Sequence, residues 1–307
     1  MKLFPIPLLV LAGIASLEAG TLVVTALPGD EAVPQLLRTL GGQPLGATAT
    51  VQLGAFPGLS DDQVLDLATG GYAALTASWL PFGEEHPMGT GADDQSGSFE
   101  IAARQDIPEA GPSPAGQEIS IIIRSGAEFL VARFKGKTFA ADTETGLEQV
   151  AVLQLRDAKI IVGNRLGPQT IATAVTPAVG SYGSWIAAYT TAITDEALRQ
   201  PQADADGDGL SNFFEYATGG DPASGTDASV CRISGDGSGH PWLSFRCQPG
   251  LGGTVPSLRS SPDLQEWSDF AANLEWDTSP PAAGSWLRAR IPGAMDPGWY
   301  FRLELDE

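Results

Sequence analysis

The chain is poor in the residues that most often carry chemistry. Its 307 residues include two cysteines, two histidines and four lysines. Two histidines exclude a three-histidine zinc site, and a histidine-based triad would have to use His86 or His240. Both precede proline in glycine-rich turns, which suits exposed loop positions. Lys plus Arg number 17 against 37 Asp plus Glu, a net charge of −20. Such a surface repels phosphate backbones and anionic lipid, so no nucleic-acid or membrane-surface partner is expected. After the N-terminal segment there is no second long apolar run, so no transmembrane segment is expected in the mature chain. No P-loop or dinucleotide fingerprint occurs. The "GPSPA" stretch loosely fits a nucleophile elbow, but Pro112 and Pro114 flank its serine. The acid pairs Asp61-Asp62, Glu84-Glu85 and Asp93-Asp94 could serve a carboxylate-based glycoside hydrolase, although adjacent acids are the ordinary content of solvated loops. No catalytic residue is assigned, and no enzyme activity is expected.

What is present points to an exported β protein. Hydrophobic residues make up 43% of the chain, enough for a packed core, and 37 glycines with 23 prolines supply many turns. Residues 1–20 read as a signal peptide: Lys2, the apolar core "LFPIPLLVLAGIAS", and small residues at Gly13, Ala15, Ala19 and Gly20. No cysteine lies there, so a lipid-modified start is not expected. From Thr21 to Ile161, "TLVVTAL", "TATVQLGAF", "GSFEIAAR", "EISIIIRSG", "EFLVARFKG" and "EQVAVLQLRDAKIIVG" are β-branched or alternating runs parted by Gly, Pro or Asp. "ISIII" and "FLVARF" are apolar on both phases, as central strands between two layers should be. A short helix is predicted near Asp61, with Ser60 and Gln63 as its capping box. "SWIAAYTTAITDEALRQ" carries Trp185, Ile186, Tyr189 and Ile193 at helical spacing.

Strands return after Ala228. In "VCRISGDGSGHPWLSFRC", Cys231, Ile233, Leu243, Phe245 and Cys247 share one alternation phase around a glycine-rich turn. In an exported protein that pair is expected to form a disulfide, closing a loop of about 17 residues worth roughly 3 kcal/mol; two buried thiols are the alternative. Five tryptophans lie in this region. Trp299 shares a phase with Phe301 and Leu303 and is expected in the core, whereas Trp242 and Trp286 fall on the polar phase and are candidate ligand contacts, since exposed rings stack on sugars.

The most specific stretch is "DADGDGLSNFFE". Its D-x-D-x-D-G-x5-E spacing matches an EF-hand calcium loop. Asp204, Asp206 and Asp208 take positions 1, 3 and 5, and Gly209 allows the turn. Leu210 offers its carbonyl, Asn212 ligates directly or through water, and Glu215 can bind with both oxygens. All are hard oxygen donors, so calcium fits and zinc or copper does not. A solvated acidic turn is the alternative. Pro201 discourages an entering helix, and there is a single loop, which argues against a calcium switch.

The "DADGDGLSNFFEYATGGDP" stretch resembles the single EF-hand-like, or thrombospondin type 3-like, calcium segment of exported multi-module bacterial proteins. In those proteins a "SWIAAY"-like helical piece commonly precedes it and a strand and turn like "SLRSSPDLQEW" follows, an order repeated here at Ser184–Tyr189, Asp204–Pro222 and Ser257–Trp267. The chain departs from thrombospondin repeats at Asn212 and Glu215, and from dockerins in having one loop. The resemblance implies export, calcium and β modules, and no particular activity. Many such proteins end in a membrane sorting tail; the ending "FRLELDE" does not suggest one.

The expected fold is therefore mainly β: signal peptide 1–20, an N-terminal antiparallel β-sandwich over 21–166, a short helical calcium-loop linker over 167–227, and a small C-terminal β module over 228–307. The expected function is that of a calcium-binding structural or surface-associated protein, secreted, periplasmic or on the cell surface of a bacterium. The alternatives are an extracellular glycan-binding module and, behind it, a carboxylate-based glycoside hydrolase; an extracellular glycan or a surface protein is the expected partner.

Overall fold

The structure, a computed structural model, describes residues 21–26, 36–88, 97–104, 113–139, 151–167, 170–225, 230–235, 241–251, 255–270, 274–277, 286–291 and 299–306. The expected signal segment, His240 and the Asp93-Asp94 pair lie outside the described residues. In chain order the first elements are β1 (Thr21–Thr25), β2 (Leu36–Arg38), β3 (Thr50–Ala55), α1 (Asp61–Ala68), α2 (Tyr72–Thr76), β4 (Leu80–Pro87), β5 (Glu100–Arg104), β6 (Glu118–Ser125) and β7 (Glu128–Thr138). Then come β8 (Ala151–Gln154), β9 (Lys159–Val162), β10 (Asn164–Gly167), β11 (Thr170–Ala172), α3 (Tyr182–Ala187) and α4 (Asn212–Thr218). The last are β12 (Cys231–Gly235), β13 (Pro241–Arg246), β14 (Val255–Ser261), β15 (Ser268–Asp269), β16 (Leu274–Trp276), β17 (Trp286–Arg290) and β18 (Tyr300–Asp306). The protein is mainly β, as expected.

The apolar runs of β6 and β7 build the centre. They form a tight hairpin whose turn needs Gly126 at φ 61°, and they lie in the middle of an antiparallel sheet ordered β4-β3-β6-β7-β9. Ile121, Ile123, Leu130 and Ala132 pack in one core with Val24, Ile101 and Leu153 of a second sheet, β5-β1-β8. Ile122, Phe129 and Val131 face the other way, into a core with Val64, Leu65 and Ala68 of α1 and Leu75 of α2. Each of the Val, Leu, Ile and Phe side chains gains about 1.5–3 kcal/mol on burial, which is why a strand apolar on both phases takes a two-sided position. The sandwich carries two parallel pairs, β1 with β8 and β2 with β11, that alternation alone does not encode. α1 has the expected capping box: Ser60 Oγ accepts from the Gln63 N–H, and the Ser60 N–H donates to Gln63 Oε1.

Arg133 of β7 is a charge buried beside this core. Its guanidinium donates to the Leu59 carbonyl at 3.0 Å and to Asp61 Oδ1 at 2.9 Å. Lys135 and Lys159 each approach Asp61 Oδ2 at 3.0 Å. Burial alone would raise the Asp61 pKa, but the hydrogen bonds from Lys159 and Lys135 and the charges of Lys159 and Arg133 outweigh it and hold the carboxyl below 3.8.

The segment expected as a linker is packed against the sheet. Tyr216 of α4 is buried in the same core as Ile122 and Phe129, with Tyr182, Trp185 and Phe213 against it. Four aromatic rings meet here at centroid distances from 5.4 Å for Trp185–Tyr216 to 6.1 Å for Tyr182–Phe213. Ser181 caps α3. Asp66 of α1 reinforces that end, accepting from the Ser181 N–H at 2.7 Å and Ser184 Oγ at 2.7 Å. Gly180 makes this approach possible, because a Cβ there would lie 2.2 Å from Asp66 Oδ1.

The C-terminal region is a small sandwich of two sheets, β12-β13-β17-β16 and β15-β14-β18. Leu243, Leu258, Ala289 and Ile291 fill the space between them. Phe245, Cys247, Trp276 and Leu287 pack instead with Leu166 and Ala172 of β10 and β11. Two expectations are corrected here. Trp299 is 37% exposed rather than core, because it precedes β18 and lies beyond Phe301, whose ring meets Phe270 at 5.3 Å. Cys231 and Cys247 are both free thiols, not a disulfide. The register sets Cys231 opposite Phe245, so Cys247 is a diagonal neighbour. Diagonal neighbours are about 7–8 Å apart, with Cβ–Cβ somewhat less, while a bridge needs about 3.5–4.5 Å.

Candidate functional site

The acidic loop is shaped by its glycines. Gly207 and Gly209 have φ of 81° and 93°, conformations that L side chains rarely adopt. The turns they allow point backbone N–H groups at the aspartates. Asp204 accepts from Gly207 at 2.7 Å and from Gly209 at 2.9 Å. Asp206 Oδ1 accepts from Asp208 at 3.1 Å, and Asp208 Oδ1 from Leu210 at 2.8 Å. The result gathers one oxygen from each of Asp204, Asp206 and Asp208 within 4.8 Å of one another. Charges at that spacing repel by about 1 kcal/mol per pair in water, and several-fold more at an effective dielectric of about 20.

Asp206 sits deepest of the three. Its own burial, with the charges of Asp208 and Asp204, raises its pKa against the backbone hydrogen bonds from Asp208 and Ser224. Its second oxygen, Oδ2, is buried with no hydrogen-bond partner. The chain after α4 folds back over the loop. Gly225 comes so close that a Cβ there would lie 3.3 Å from Asp208 Cβ.

Asn212 and Glu215 stand differently from the three aspartates. Both are 0% exposed. The Asn212 side-chain amide donates to the Leu198 carbonyl at 2.7 Å and the Gln200 carbonyl at 2.9 Å, and its backbone N–H donates to Ala203 at 2.8 Å. It therefore straps the incoming chain to the start of α4, the task an entering helix would otherwise perform. That helix is replaced by a short 3-10 turn at Ala197–Arg199 ahead of Pro201. Asn212 Oδ1 is buried with no hydrogen-bond partner. Glu215 lies sealed in the first turn of α4, outside the group of oxygens within 4.8 Å.

α4 links the loop to the rest of the molecule. Ser211 caps its start, and Gly219, left-handed at φ 74°, ends it. Its last carbonyls are satisfied from the C-terminal sandwich: Gln248 donates through its N–H to Ala217 at 2.8 Å and through Nε2 to Tyr216 at 2.8 Å. Arg246 donates to Gly219 at 2.7 Å, a cation placed at a helix C-terminus. On the other side the Tyr216 hydroxyl donates to Gly180 at 2.7 Å. Sequence reasoning missed these clamps, because nothing local to Gln248 or Arg246 signals a helix end more than 25 residues upstream.

Trp242 and Trp286 do reach the outward face of their sheet, half-buried. Each carries a guanidinium on its ring: Arg288 lies 4.5 Å over Trp242, and Arg232 lies 4.1 Å over Trp286. One ring face of each is thus occupied by a cation–π contact rather than open to a sugar. His86 sits on β4 opposite Val51. Asp61 is engaged by its three cations, which removes it from a carboxylate pair. Among the described residues no helix is long and apolar enough to cross a membrane. No family model, curated protein or solved structure matches the chain.

Proposed function

We propose that the protein is an exported, calcium-binding structural or surface-associated protein in which one EF-hand-like loop clips two β units together. The observation that carries this reading is the convergence of Asp204, Asp206 and Asp208 within 4.8 Å, on a loop whose glycines and N–H groups already hold the carboxylates in place. The donor set fits the ion. The side chains offer only hard oxygens, and the buried acceptors Asp206 Oδ2 and Asn212 Oδ1 are available to a cation or to its bound water. Leu210 through its carbonyl would add a ligand, and Glu215, outside the 4.8 Å group, would join the set by turning its carboxylate toward the aspartates. The cation would offset the mutual repulsion of the aspartates. The loop leads directly into α4, which touches the sheet core through Tyr216 and the C-terminal sandwich through Gln248 and Arg246. Ordering the loop would therefore stabilise the joint. Export rests on the character of residues 1–20, and the resemblance to bacterial calcium segments agrees with it.

Calorimetric titration with calcium, together with thermal unfolding in calcium and in chelator, tests the proposal. At calcium a hundredfold above Kd the gain is about 2.7 kcal/mol, a rise in Tm of roughly 4 °C for a chain of this length. Asp206→Ala should abolish both the heat and the shift. No heat of binding and an unchanged Tm in chelator would make the loop an ordinary acidic turn.

A further inference from the structure

Among the described residues, β12 is an outermost strand of its sheet and pairs only with β13. All five of its residues are exposed. Ile233 shares a sheet face with Leu243, its cross-strand partner. Leu243 is 4% exposed under the covering sheet, whereas Ile233 is 67% exposed, more than any other exposed large apolar side chain described. Among the described residues the covering layer therefore stops at β13, and β12 overhangs it.

Natural edge strands are usually blunted by proline, lysine, a bulge or an inward-pointing charge. β12 has none of these, and its pairing with β13 runs without a register shift. Its single charge, Arg232, lies on the outward face of the sheet, opposite Ile233, and reaches sideways across β13: the guanidinium lies 4.1 Å over the Trp286 ring and 3.1 Å from Asp277. Among the described residues the backbone edge and the Ile233 side chain are thus left clear.

We propose that β12 pairs edge to edge, antiparallel, with β12 of a second copy of this chain, about a two-fold axis at Ile233. The strand is self-complementary in that register. Ile233 faces its own counterpart, Arg232 faces Ser234, and Cys231 faces Gly235, so no like charges meet. An unrelated extended peptide would gain the same backbone pairing, but a second copy also brings an apolar side chain to each overhang. The interface is small, and two chains of net charge −20 repel, so the dimer is weak and strengthens as salt screens that charge.

Sedimentation of the full chain from about 1 µM to about 1 mM, at roughly 0.15 M and 0.5 M salt, reads this directly. The expected result is a reversible monomer–dimer equilibrium, tighter at high salt, with Kd raised at least about tenfold by Ile233→Lys. Ile233→Lys should leave circular dichroism and Tm unchanged, since the side chain is exposed. Ile233→Cys on a Cys231→Ser background should be joined as a covalent dimer by a short bifunctional thiol crosslinker, because facing Cβ atoms lie about 4.5–5.5 Å apart, beyond the reach of a direct disulfide. A chain monomeric throughout, or a dimer indifferent to Ile233→Lys, overturns the proposal. A dimer that Ile233→Lys disrupts but that the crosslinker does not join overturns the two-fold at Ile233.

Discussion

Substituting Asn212 by alanine removes both side-chain donors that hold the incoming chain to α4, at 2.7 Å to Leu198 and 2.9 Å to Gln200. The residue is 0% exposed, so water does not readily replace them. Each lost hydrogen bond costs about 1 kcal/mol where water takes its place, and about 1–3 kcal/mol where the carbonyl is left dry. For the two carbonyls a total of about 2–6 kcal/mol is expected for Asn212→Ala. Asn212→Asp is the sharper change. A carboxylate cannot donate to two carbonyls, so it should cost at least as much if Asn212 is a strap. If Asn212 acts only as a cation ligand, aspartate at this position should keep or tighten calcium binding. Denaturant unfolding in chelator separates the roles, because no cation then contributes. Stability within about 0.5 kcal/mol of wild type for both variants, with calcium affinity altered, would refute the strap.

Two further outcomes follow from the packing. Asp61→Asn leaves Arg133 buried beside Lys135 and Lys159, and is expected to cost about 3 kcal/mol near neutral pH. Because the folded-state pKa of Asp61 lies below 3.8, the wild-type advantage should be complete above that value and disappear as pH falls through the lowered pKa; an advantage that persists at the lowest pH would refute it. Thiol labelling of the native protein should modify one cysteine, Cys231, while Cys247 reacts only on unfolding, since burial pushes its pKa up to about 12. Finding no titratable thiol in non-reducing denaturant would instead show the two joined.

The strands that were easiest to read are the ones buried on both faces. A run such as "ISIII" has few other soluble solutions, and β6 and β7 appear where the periodicity places them. β4 was missed because "LPFGEEHP" mixes Gly, Pro and charge, which an edge strand tolerates. β2, β10 and β11 were missed because strands of three or four residues have too little pattern to register, and the parallel β2–β11 pair joins residues more than 130 apart. The Cys231–Cys247 expectation failed by one diagonal step: alternation gives the face a side chain takes but not the residue opposite it.

The calcium-loop candidates divide along the same line. The sequence by itself determined the turn and the three convergent aspartates, because glycine at 207 and 209 and carboxylates at alternate positions constrain a short loop through local sterics and hydrogen bonds. It also determined the two-sided centre of the sandwich, through apolar periodicity. Only the tertiary structure decided that Asn212 spends its amide on Leu198 and Gln200, and that α4 is capped by Gln248 and Arg246. It alone decided that Arg232 and Arg288 cover Trp286 and Trp242. Those contacts are set by which distant surfaces meet when apolar area is buried, and no local spacing records that choice.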